Sequence, residues 1–301
     1  MLFAANYSRP LADLVARGRA VVDLYKLPAW PDLVADLISG ETSSVPCYVH
    51  FPLLAGTGSG GPINTETNTP PDWAQFDALL STTQTPWVSA HLGPRPEDFP
   101  HLVGATPDEQ AEAITASLIE DLECMVARYG ADRVVGENIF EFFGMHLRAA
   151  MLPEVISCAI EEAGCGFLLD ISHARLAAKV LGLDPRAYVE ALPVDHIREV
   201  HVTGIQRFDA LWVERLRAAG IANSTLEQFA GQDIDHLPMT DEDWTFTAWA
   251  LSRIRDGAWS MPEIVAFEVG GIGPMFEAMT IPAALEAQVP RLYAMVHGTG
   301  G

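Results

Sequence analysis

Apolar, strand-like runs alternate with helix-patterned segments eight times along the 301-residue chain, which predicts an α/β protein built as a (β/α)8 TIM barrel. Two further observations support that class. No low-complexity linker or internal repeat divides the sequence, so one domain over 1–301 is expected, and the 49% hydrophobic content is enough for a sizeable core. Residues able to do chemistry also recur at the ends of successive apolar runs, where a barrel of this kind places its active site.

In order, the first run is Leu2–Asn6, followed by a helical pattern over Pro10–Arg17. The second is Val21–Tyr25, and Pro31 at a first helical position opens PDLVADLI, with Leu33, Val34, Leu37 and Ile38 on one face. Val45–His50 is the third, leading into a Gly-, Thr- and Pro-rich loop to about Pro71, long enough to be a candidate lid. Asp72 caps the helix DWAQFDALL, and Trp87–Leu92 is the fourth strand. After the loop GPRPEDFPHLVG, Thr106, Pro107 and Glu109 form a capping box that starts a helix to about Tyr129. Arg133–Asn138 is the fifth strand; the aromatic loop IFEFFGM and a helix over Leu147–Ala163 follow. The sixth, Gly166–Asp170, runs into HARLAAKVL and then DPRAYVEAL. Ile197–Val202 is the seventh, followed by the helix ALWVERLRAAG; Glu263–Val269 is the eighth, and a last helix spans Ala283–Met295.

Charge narrows the partners. Against 18 Lys plus Arg stand 40 Asp plus Glu, a net charge of −22, which repels a phosphate backbone and an anionic membrane alike. The N-terminus lacks a signal-peptide pattern and no stretch has the length of a membrane span. The four cysteines, Cys47, Cys124, Cys158 and Cys165, show no C-x-x-C spacing and read as reduced, buried thiols of a cytoplasmic protein.

The strand ends supply His50, His91, Glu137 with Asn138, Asp170 with His173, His201 and Glu268. Between the seventh and eighth strands DIDHLP adds Asp233, Asp235 and His236. A carboxylate buried after an apolar run is costly without a cation or several donors, so Glu137 and Glu268 point most strongly to metal. Imidazole and carboxylate with no thiolate suit Fe, Mn or Zn, and so many donors exceed the needs of one ion. Two or three ions are expected, with Glu137 or Glu268 placed to bridge. Lys26, Glu141 and His146 lie near the same mouth and read first as solvated or structural. Ser172 and His173 beside Asp170 contain the residue types of a hydrolase triad, but no G-x-S-x-G elbow is present. GTGSGG at 56–61 reads as a flexible loop rather than a phosphate cradle, since no helix opens after it.

The segments VHFPLL, SAHLG, GEN, GFLLDISHARLAA, DPRAYVEALPVDHIREVHVTG and AFEV resemble the multinuclear non-haem iron-dependent oxidative enzymes, the MNIO or MbnB-like family. The order of motifs covers roughly residues 45–270, and the block from Gly166 to Gly204 is its most specific part. The resemblance implies a xylose-isomerase-like barrel with two or three iron ions. It also implies dioxygen-dependent modification, at cysteine or other residues, of a ribosomally made precursor peptide, often presented by a partner protein. Carried over by motif, His50, His91, Glu137, Asp170, His201 and Glu268 become metal ligands; Glu137, Asp170, His173 and Glu268 are the residues expected to be catalytic. This chain departs from the family at three places. Many relatives have Asn where His173 stands, Asp235 occupies a usual His position with His236 beside it, and Thr203-Gly204-Ile205 replaces Ala-Gly-His.

Two other functions fit the same residues. A sugar isomerase or epimerase of the xylose-isomerase-like group would use Mn, Co or Mg with acid/base groups, and a degenerate barrel would bind metal or peptide without turnover. A metal-dependent phosphodiesterase shares the ligand types, but the charge opposes a DNA substrate.

Overall fold

Strands form where the apolar runs permit them, and twelve are present among the described residues of the computed structural model, which are 1–39, 45–141 and 143–298. They are β1 Leu2–Asn6, β2 Leu24–Pro28, β3 Cys47–His50, β4 Leu53–Ala55, β5 Ile63–Asn64, β6 Val88–Leu92, β7 Val134–Glu137, β8 Gly166–Asp170, β9 Ile197–Val202, β10 Gly204–Arg207, β11 Asp233–Leu237 and β12 Ile264–Phe267. Phe142 of the expected aromatic loop lies outside the described residues. The chain groups into two compact units: Met1–Leu27, Asp32–Cys47 and His201–Gly301 form one, Pro28–Pro31 and Tyr48–Val200 the other.

In the first unit β1 pairs in parallel with both β2 and β12, with Asn6 opposite Lys26 and Ala5 opposite Phe267. The second strand starts three residues later than the Val21–Tyr25 run predicts. The cause is Asp23, whose Oδ2 accepts the Phe3 N–H at 2.7 Å while its own N–H donates to the Phe3 carbonyl at 2.8 Å. That local clasp keeps Val21 out of the sheet and exposed.

β10 and β11 pair antiparallel, an arrangement the run of eight parallel strands did not include. Between the pairs Gly204–Leu237 and Gln206–Ile234 the β11 side has one residue more than β10, which makes a bulge at Asp235 and His236. His236 there adopts φ 57°, unusual for a residue with a Cβ. Gly204 is required opposite: a Cβ on it would lie 2.2 Å from the Pro238 carbonyl oxygen. A helix at Asp241–Arg255, opened by a capping box of Thr240 and Asp243, also goes beyond the expected elements.

The second unit contains the parallel series β4–β6–β7–β8, with β5 antiparallel to β4. Register places Leu54 beside His91 and His91 beside Glu137. The helices Trp73–Thr82 and Pro107–Tyr129 start at the expected caps, Asp72 and Thr106 with Glu109. The long loop after His50 is not an open lid. It contains the β4–β5 pair, and buried Asp121 accepts from the backbone of Gly56 and Thr57 at 2.8 and 3.0 Å. The Pro153–Ala163 helix begins later than Leu147, because Arg148–Met151 winds as a 3-10 turn first.

No helix among the described residues is long and apolar enough to cross a membrane. All four cysteines are free thiols; Cys47 and Cys165 are buried as expected, whereas Cys124 is exposed.

Candidate metal centre

In the second unit, parallel register brings the strand ends side by side. His91 and Glu137 are direct neighbours across β6 and β7, and His50 ends β3. The His50 and His91 rings meet edge to face at 5.3 Å. Each presents its Nε2 to the same oxygen, Oε2 of Glu137, at 3.4 Å, and the Glu137 side chain is 1% exposed. These three ligand atoms lie within 4.8 Å of one another. That span is close to twice the roughly 2.1 Å bond that an imidazole or carboxylate makes to a first-row ion. Ser89 sets the orientation: its Oγ is 3.2 Å from His50 Nδ1, so the ring's other nitrogen points at Glu137. A second contact of this kind is a usual companion of metal-binding histidines.

Asp170 ends β8 with its side chain fully buried. Its Oδ1 accepts the His173 N–H at 2.8 Å and caps the Ile171–Leu181 helix, so one oxygen has a structural task. Asn138 ties the ends of β7 and β8 together, donating to the Asp170 carbonyl and accepting the Asp170 N–H, both at 2.9 Å. His173 sits beside this clasp. Its Nδ1 is 2.9 Å from the Asn138 carbonyl, 3.6 Å from Glu137 Oε1 and 3.8 Å from Asp170 Oδ2. A carbonyl only accepts, so Nδ1 carries a proton. Phe140 packs on the ring at 5.3 Å.

His146 is also part of this neighbourhood. Its Nδ1 is 3.1 Å from the Gly93 carbonyl, and a Cβ on Gly93 would lie 2.8 Å from its Cε1. Burial pushes its pKa down to about 4, with the nearby imidazoles of His91 and His173 and the Arg95 guanidinium acting in the same direction. It is therefore a neutral imidazole at pH 7, the structural rather than the solvated of the two roles expected for it. Glu141 fits the same expectation, contacting the Gly144 N–H within its own turn.

Two buried groups of this unit escaped the sequence reading. Glu199 accepts from Tyr48 Oη at 2.7 Å and Trp87 Nε1 at 2.6 Å, and with burial this holds the Tyr48 phenol well above its usual pKa. Ser89 is the other. Both had a signal, since Glu199 with His201 and Ser89 with His91 share strand faces at period two.

In the first unit, His201 and Glu268 come together. His201 Nδ1 is 3.3 Å from Glu268 Oε2, both side chains being buried, and the Glu268 N–H donates to the Val202 carbonyl at 2.9 Å. The other carboxylate oxygen, Oε1, contacts the Lys26 ammonium. Lys26 is 6% exposed, so it is a buried member of this set. The bulge turns His236 so that its Nδ1 donates to the Glu268 carbonyl at 3.0 Å, with Phe276 edge-on to the ring at 5.2 Å. Asp235 is buried. Asp233 instead faces Arg207 across the β10–β11 pair at 3.5 Å.

His50, His91 and Glu137 offer imidazole nitrogens and a carboxylate oxygen, the chemistry of a hard or borderline divalent ion, the His201–Glu268 pair offers the same donor types, and no described cysteine joins the first group. The residues present fit such an ion.

Comparison with solved structures fixes the fold. A D-tagatose 3-epimerase-like protein aligns with 99% of this chain and 98% of its own at 15% identity and a TM-score of 0.54. A xylose isomerase domain containing protein from Salmonella typhimurium LT2 covers 98% of this chain and 97% of its own at 18% identity and a TM-score of 0.51. The fold is thus the xylose-isomerase-like TIM barrel that the strand–helix alternation and the family resemblance imply. Among curated relatives, a UPF0276 protein from Acaryochloris marina is 26% identical over 152 residues, 50% of this chain and 53% of its own. The chain spans about half the length of that relative. The family described as RiPP precursor modification enzyme MbnB/TglH/ChrH matches residues 59–226, a stretch that holds His91, Glu137, Asp170, His173 and His201. The chain belongs to this family of enzymes that modify ribosomally synthesised precursor peptides.

Proposed function

We propose that the protein is a cytoplasmic, metal-dependent oxidoreductase that uses dioxygen to modify a precursor peptide at cysteine, the peptide being presented by a partner protein. One observation carries the metal part of this reading: two imidazole nitrogens and a buried carboxylate oxygen converge within 4.8 Å from three different strand ends. His50, His91 and Glu137 would hold one ion; His201 and Glu268, with Asp235 and His236 beside them, would hold another. Asp170 would supply a further ligand, its Oδ1 being used as the helix cap. Two or three iron ions, when bound, supply the redox chemistry that no side chain of the set has.

The residues around the donors have separate tasks. Ser89 and the Asn138 carbonyl fix the His50 and His173 rings, so these imidazoles do not have to be ordered when substrate arrives. His173, with its proton on Nδ1, keeps Nε2 as an acceptor for a substrate proton. Phe140 and the neutral His146 keep that side of the site weakly polar. The acidic chain suits a basic or neutral peptide.

The direct test is aerobic incubation of the iron-loaded protein with a cysteine-containing precursor from a neighbouring gene. A mass change that requires both iron and dioxygen is expected. Oxygen-independent turnover of a ketose, with the peptide unchanged, would place the protein among the epimerases instead.

A further inference from the structure

The Glu268 carboxylate is divided between two neighbours of different kinds. Oε2 faces His201 Nδ1 at 3.3 Å, and Oε1 is in contact with Lys26 Nζ. The sheet explains how a lysine reaches this point. Lys26 stands opposite Asn6 on one side of β1, and because Ala5 pairs with Phe267, Glu268 follows at the same level on the other side. Two strand spacings of about 4.8 Å separate the backbones, a distance that the lysine stem and the glutamate side chain together bridge. Asn6 closes the level by donating from Nδ2 to the Gly270 carbonyl at 3.1 Å.

Ammonium and carboxylate are both nearly excluded from water, at 6% and 5% exposure. A pair in that setting is costly to break, because removing one partner leaves the other charge uncompensated. Glu137, the buried carboxylate of the second unit, is flanked instead by His50, His91 and His173. The two expected metal carboxylates therefore meet different neighbours, an ammonium at Glu268 and imidazoles at Glu137.

We infer that Lys26 is the resident counter-cation of Glu268: a positioning residue that commits Oε1, leaves Oε2 with His201 for a divalent ion, and competes with that ion for the carboxylate. The inference deepens the metal reading of the same residues and rests on it. Charge balance sets the direction of the effect. With Lys26 in place Glu268 is already neutralised, so an arriving cation gains less and is repelled by the ammonium. Removing the ammonium leaves a buried carboxylate that faces His201 and gains more from an arriving divalent ion.

The experiment uses the full chain in three forms, wild type, Lys26→Met and Lys26→Arg, with Mn²⁺ titrated into chelator-treated protein under anaerobic conditions. Lys26→Met should tighten Mn²⁺ binding by at least about tenfold, since the competing charge is gone. It should also lower the melting temperature of the metal-free protein, and Mn²⁺ should restore it. Lys26→Arg keeps the cation and should stay close to wild type in both. If Lys26→Met does not fold, Lys26→Gln takes its place. Unchanged or weaker Mn²⁺ binding in the folded variant would overturn the inference while leaving the metal reading intact. A wild-type protein that binds no Mn²⁺ would overturn the metal reading, and the competition with it. The Lys26–Glu268 pair is then judged by the coupling between Lys26→Met and Glu268→Gln in metal-free melting, a coupling that a merely space-filling lysine would lack.

Discussion

Glu137→Gln is expected to empty the second unit's donor set of metal and to abolish turnover without unfolding the protein. Glutamine keeps the size of the side chain and can still hydrogen-bond in its buried position, but it removes the charge that both His50 Nε2 and His91 Nε2 face at 3.4 Å. The loss of metal affinity should exceed the roughly 10–100-fold typical of removing an outer hydrogen-bond partner of a ligand. Metal content of anaerobically purified variant protein, read beside its melting curve, checks this. A variant that keeps the metal of wild type would take Glu137 out of the ligand set.

Asp170 and His173 are expected to separate. Asp170 has two roles, helix cap through Oδ1 and candidate ligand through Oδ2, and two substitutions pull them apart. Asp170→Ala should lose metal and also about 1 kcal/mol of stability, the usual worth of an N-cap. Asp170→Asn retains a side chain that caps nearly as well, so its melting temperature should stay close to wild type while its metal is lost. His173→Asn introduces the residue that the family resemblance leads one to expect there. It should keep the metal and lower turnover, because asparagine lacks the Nε2 proton acceptor that His173 is proposed to present. If His173→Asn empties the site as fully as Asp170→Asn, His173 is a ligand and its assignment as proton acceptor fails.

The legible features of this chain were local ones. GFLLD became a strand with its stated bounds, and Thr106 with Glu109 and Asp72 became the caps expected of them, because these depend only on neighbours in sequence. The alternation of elements gave the fold class for the same reason. What could not be read were distant contacts. Asp23 delays β2 through a partner twenty residues away, at Phe3. Lys26, in an unremarkable LYKLP, becomes a buried ion pair only because β1 accepts a strand on each side.

The candidate site divides in the same way. His50, His91 and Glu137 were legible as strand ends, and the parallel register brings their ligand atoms together. The second role of Asp170 was less visible, since an aspartate ending a strand is also the cap of the following helix. The β10–β11 pair was hidden because its bulge depends on a glycine, Gly204, and on a positive φ at His236 that no periodicity announces. That bulge places His236 on the Glu268 carbonyl and leaves Asp233 with Arg207. Positions 235 and 236, where the resemblance implies a departure, thus lie at a local backbone irregularity.

The most direct test of the central claim is metal analysis with Mössbauer spectroscopy on protein purified without air. Two to three iron ions per chain are expected, with the content reduced in Glu137→Gln and in Glu268→Gln by the ion that each donor set would hold. A folded protein that contains no iron and takes up none when Fe²⁺ is supplied anaerobically would contradict that claim.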